Sequence, residues 1–108
     1  MTAKTRPNRL MDAYSSALDA QSTLYSAMAA VGEAERLAIE ARLDGEPDAA
    51  SFAQKKVRAA RASLRRAVLH DRAAYDNYRA IEEDLDAKRR KREAAKARRK
   101  AASAEVAA

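Results

Sequence analysis

Only Pro7, Gly32, Gly45 and Pro47 break this 108-residue chain. Nearly everything between them is Ala, Leu, Arg, Lys, Glu or another residue that is comfortable in a helix. A chain with so few breakers and so many helix formers has one fold class open to it, all-α. Gly45 and Pro47 stand together in the stretch LDGEPDAAS. Glycine suits the left-handed residue that follows a helix end, and proline is tolerated at the first helical position. The spacing predicts a turn at residues 44–47, a first helix that starts after an Asn8 N-cap, and a second helix that meets no further breaker. The expected architecture is an antiparallel two-helix hairpin with a long second helix, oligomerising as a helical bundle.

Two apolar series recur at alternating steps of three and four, the spacing of a helix–helix seam. On the first helix the series is Met11, Tyr14, Leu18, Gln21, Tyr25, Met28 and Gly32; on the second it is Val57, Ala60, Leu64, Ala67, Asp71, Ala74, Tyr78, Ile81 and Leu85. A turn centred on residue 46 brings residue i near residue 92 minus i, and the two series then face each other. The expected layers are Met11 with Ile81, Tyr14 with Tyr78, Leu18 with Ala74, Gln21 with Asp71, Tyr25 with Ala67, Met28 with Leu64, and Gly32 with Ala60. In this arrangement Gly32 would allow close backbone approach, and Gln21 with Asp71 would form a polar layer that fixes register. A second stripe, Leu10, Ala17, Leu24, Val31 and Ala38, is left without a partner, as are Val68 and Tyr75. Two helices cannot cover both stripes, so a second copy is expected to do so.

Charge divides the chain differently. Residues 1–85 carry thirteen basic and thirteen acidic side chains, so residues 86–108, with nine against three, hold the entire formal charge of +6. The domain organisation read from this is an N-terminal arm at 1–7, a hairpin at 8–85, and a basic, Ala-rich helical tail at 86–108. The tail cations are Lys88, Arg89, Arg90, Lys91, Arg92, Lys96, Arg98, Arg99 and Lys100. Wound as a helix, Lys88, Arg92, Lys96 and Lys100 align at four-residue steps, with Ala94, Ala97 and Ala101 opposite. Like charges so spaced weaken an isolated helix and make it receptive to an anion. Arg58, Arg61 and Arg65, on the outside of the second helix, extend the basic surface.

Enzymatic chemistry has little to work with. There is no cysteine, and His70 is the only histidine, with alanines and Arg66 at its helical neighbour positions. The two glycines lie too far apart for a phosphate-cradling loop, and the consecutive carboxylates Glu82, Glu83 and Asp84 spread around a helix axis. No catalytic residue, metal site, cofactor or small-molecule substrate is expected. No apolar run reaches the roughly 18 residues of a membrane span, and the expected compartment is the cytoplasm or a phage particle. Alanine and arginine, both favoured by GC-rich codons, are abundant, which points to a bacterial or phage source.

The function expected is non-enzymatic: the basic tail grips a polyanion, nucleic acid phosphate above all, while the hairpin oligomerises. The tail lacks Asn, Gln and aromatic side chains, so base reading is not expected. One alternative is an assembly protein, similar in layout to phage scaffolding proteins, whose basic helix docks on an acidic protein surface. Another follows from a limited resemblance. Leu43, Asp44 and Gly45 occupy the turn, and Tyr78 precedes Glu82 by four residues. In these features the chain resembles the small secreted helical hairpins with a Trp-x-Gly turn and a downstream Tyr-x-x-x-acid signal, which would imply a secreted interaction module. Leu43 stands where that family has tryptophan, and the basic tail departs from its pattern.

Overall fold

The computed structural model describes residues 8–107; the N-terminal arm at 1–7 lies outside the described residues. The described residues form two α-helices, α1 (Arg9–Leu43) and α2 (Pro47–Ala107). Their ends follow from local chemistry. The Asn8 side chain accepts a hydrogen bond from the Met11 N–H at 3.1 Å, capping an otherwise orphaned donor. At the other end Gly45 has a φ of +76°, and its N–H donates to the Arg42 carbonyl at 3.2 Å. That left-handed residue turns the chain out of α1, and Pro47 opens α2 with Asp48 in its first turn.

The helices differ greatly in length. At about 1.5 Å per residue, the 61 residues of α2 run the full 92 Å long axis of the molecule. The 35 residues of α1 cover only the first part of it. Beyond Asp86 every described residue of α2 except Ala95 is exposed, so the tail projects as a single helix.

The most buried stripe on α1 is not that of its larger residues, although Tyr14 does meet Tyr78 as their series implied. Ala13, Ala20 and Ala38 are buried, and Leu10, Ala17, Leu24, Ala27, Val31, Ala34 and Ala41 are half-buried in the same three-four rhythm. Met11, Tyr14, Leu18, Tyr25 and Met28 lie one residue further round and are 45–60% exposed. The reason is steric. An alanine-lined stripe lets two helix axes come close, whereas a stripe of Met, Tyr and Leu would hold them apart. On α2 the buried side is formed by Ala53, Val57 and Ala67, with Ala60, Leu64, Asp71, Ala74, Tyr78 and Ile81 half-buried beside them.

Gly32 does not serve close approach. It is exposed, and a Cβ built on it meets nothing within 4 Å. Near the turn Ala38, Ala53 and Val57 form one small apolar cluster, packed by Ala34 and Ala41. At the open end the Tyr14 and Tyr78 rings meet with centroids 5.6 Å apart and planes inclined by 54°, a tilted aromatic pair. Among the described residues no polar side chain is buried, and no helix is long and apolar enough to cross a membrane.

Candidate polyanion-binding surface

The projecting part of α2 is rooted in acids. The Glu82 carboxylate accepts from the Tyr78 hydroxyl at 2.9 Å and from Arg79 at 2.5 Å. Lys88 pairs with Asp84 at 3.1 Å, and Asp86 takes both Arg89 at 2.5 Å and Arg90 at 2.9 Å. All of these pairs lie within one helix at spacings of three or four residues, where each contributes a few tenths of a kcal/mol. Their larger effect is on charge, since three of the tail cations already face a carboxylate.

Past this root the balance changes. Lys91, Arg92, Lys96, Arg98, Arg99 and Lys100 are exposed and form no ion pair among the described residues. Glu93 is the one acid among them. Arg92, Lys96, Arg99 and Lys100 fall within roughly a third of the helix circumference, taking 100° per residue, and Ala94, Ala97 and Ala101 lie opposite. An anionic rod laid along that side would meet cations at nearly every turn.

The basic run in the body is placed less simply. Arg61 reaches across the hairpin to Glu35 at 3.0 Å, so its charge is answered within the molecule. Arg58 and Arg65 are exposed with no ion pair among the described residues. They belong to a longer row. Arg58, Arg65, Arg72 and Arg79 recur every seven residues and therefore share one edge of α2. Arg58 and Arg65 were expected on this surface, and the interval of seven that joins Arg72 and Arg79 to them is equally legible in the sequence. The acidic root was legible too, as Asp84 with Lys88 and Asp86 with Arg90 at i,i+4.

Beside this row runs an apolar groove between the helices, lined by Tyr14, Leu18, Gln21, Asp71, Tyr75 and Tyr78. Gln21 and Asp71, expected as a polar layer, line its wall at an open lip. Three groups are perturbed by local bonding. The Tyr78 phenol is held above its ordinary 10.0, first by donating to Glu82 and then by partial desolvation and the Glu82 charge. Glu33 is held below its ordinary 4.5 by the hydrogen bond and charge of Arg36, which also bonds Glu40 and is itself raised.

His70 is exposed, and among the described residues no three His, Cys, Asp or Glu side chains gather as metal ligands would. Compared with protein-family models, with curated proteins and with solved structures, the chain matches none.

Proposed function

We propose that this is a non-enzymatic helical protein that binds a polyanion, nucleic acid phosphate without sequence preference, through the projecting end of α2, while the hairpin holds copies together. One observation supports this above the others: among the described residues, six exposed cations at positions 91–100 have no ion-pair partner and stand on a helix clear of the hairpin. Side chains of one sign on an isolated helix repel each other, and an anion that neutralises them removes the repulsion and releases its own counterions. The absence of Asn, Gln and aromatic residues from that stretch leaves backbone contact as the mode of binding. Cytoplasm or a phage particle is the compartment this reading calls for.

Fluorescence anisotropy with a labelled duplex, measured for the full chain and for a chain ending at Leu85, tests it. The full chain should bind with a log–log salt slope of about −5, close to 0.9 for each of six neutralised phosphates, and the shortened chain should bind far more weakly. Equal binding by both chains, or by neither, overturns the tail mechanism. Binding confined to an acidic protein, with purified material free of absorbance at 260 nm, would replace nucleic acid with an acidic protein surface as the partner.

A further inference from the structure

We infer that a second copy of this chain covers the groove face of the hairpin in a four-helix bundle whose two-fold axis runs along the rod, so that both basic tails leave the same end. The inference deepens the proposed function and rests on it for what the paired tails hold. Its first support is area. The chain exposes 9,023 Å², whereas a compact monomer of 11.8 kDa exposes about 5,900 Å². The projecting tail accounts for part of the excess, and the groove face contributes apolar area to what remains. Obligate partners bury about 2,000–5,000 Å² between them, about 1,000–2,500 Å² from each, which the excess on one chain can supply.

The core inside one hairpin gives the same indication. Its buried residues are five alanines and one valine, so no large side chain is fully enclosed in it. The larger apolar groups lie outside it: Met11, Leu18, Tyr25 and Met28 on α1, with Val68 and Tyr75 on α2. On α1 these positions keep the three-four rhythm with Tyr14 and Gln21, which is the rhythm of a stripe that packs on another helix. This chain supplies such a helix itself.

Charge then selects the orientation. Arg58, Arg65, Arg72 and Arg79 form the outer edge of the groove face, one helical step beyond Arg61, Val68, Tyr75 and Glu82. A two-fold axis across the rod would lay α2 on the partner's α2 and bring four arginines of each copy edge to edge. A two-fold axis along the rod lays α2 on the partner's α1. Residues 10–35 of α1 contain no Lys or Arg, so the arginine row then borders a helix free of like charge. Rotation about an axis along the rod keeps its direction. The two tails therefore project side by side, a two-pronged cationic grip for one phosphate backbone or two.

The chain has no cysteine, so Ser103→Cys gives one spin label per copy. In buffer without nucleic acid, light scattering should report a dimer, and pulsed dipolar spectroscopy should find the two labels within about 50 Å. With the opposite orientation they would stand about 115 Å apart at 1.5 Å per residue, beyond reach of the method. A dimer with no dipolar coupling overturns the inference, and so does a monomer. Leu18→Glu and Tyr25→Glu, both at exposed positions of the hairpin, should leave helicity by circular dichroism unchanged and abolish the dimer; a dimer that survives both overturns the proposed face. Either monomeric variant keeps its tail and should still bind duplex DNA, about 100-fold more weakly for want of the second prong. Failure of the interface is thus distinguishable from failure of the tail as a polyanion site.

Discussion

At the scale of single residues the two glycines play opposite parts. Gly45 holds a φ of +76° that a side chain resists, while Gly32 sits in the middle of α1 with open space where a Cβ would go. Gly45→Ala should therefore destabilise the chain by about 1–2 kcal/mol, the cost of a left-handed L-residue. Gly32→Ala should stabilise it by about 1 kcal/mol through helix propensity, raising Tm by about 4–8 °C. Thermal melts followed at 222 nm decide both, and a destabilised Gly32→Ala would mean that the glycine does meet a neighbouring helix. Tyr78 offers a second residue-scale test. Its hydroxyl donates to Glu82, and the bond exists only while the phenol keeps its proton, so the folded value lies above the ordinary 10.0. The contribution of the bond is fully present below pH 10 and is lost as pH rises through the folded value. Absorbance at 295 nm during alkaline titration should show a late tyrosinate component that disappears in Tyr78→Phe.

At the scale of the helix, the tail and its acidic root form one electrostatic unit. Asp84 and Asp86 occupy Lys88, Arg89 and Arg90, which leaves six cations open beyond them. The double variant Asp84→Asn with Asp86→Asn frees those three cations while changing little in shape. Duplex binding at low salt should tighten, and the salt slope should steepen from about −5 toward −8, since each added phosphate contact contributes about 0.9. An unchanged slope would mean that the cations nearest the root never touch the ligand. These pairs also show what a sequence discloses and what it does not. The all-helical class and the hairpin were legible because four breakers in a chain of helix formers leave no other solution, and Asn8, Gly45 and Pro47 carry the chemistry of helix ends. The facing stripe of α1 was not. Two stripes share its rhythm, one of Met, Tyr and Leu and one chiefly of alanine, and ranking by hydrophobicity favours the first. Close approach of two axes favours the second, and that preference belongs to the pair of helices together. The pairing of Arg61 with Glu35, twenty-six residues away, was hidden for the same reason.

At the scale of the whole molecule, the proposed bundle, with both tails at one end, would set two equilibria in opposition. The paired tails repel each other, because each carries nine cations against three acids over residues 86–108. Added salt screens that repulsion, with a Debye length that falls from about 30 Å at 0.01 M to about 10 Å at 0.1 M. Dimerisation should therefore tighten as NaCl is raised through this range, while binding to a phosphate backbone weakens. The apolar contacts of the groove face give no reason for the dimer to respond in this direction, so a chain ending at Leu85 should dimerise with little dependence on salt. Sedimentation equilibrium of the two chains at 0.01, 0.05 and 0.2 M NaCl measures the difference. A full-length dimer as indifferent to salt as the shortened one would place the tails apart, at opposite ends of the rod. With the tails together, a duplex does what salt does, more locally and more strongly, by placing phosphates between two helices that otherwise repel. Sub-stoichiometric duplex should then lower the dimer dissociation constant of the full chain, and by linkage the dimer should hold duplex more tightly by the same factor.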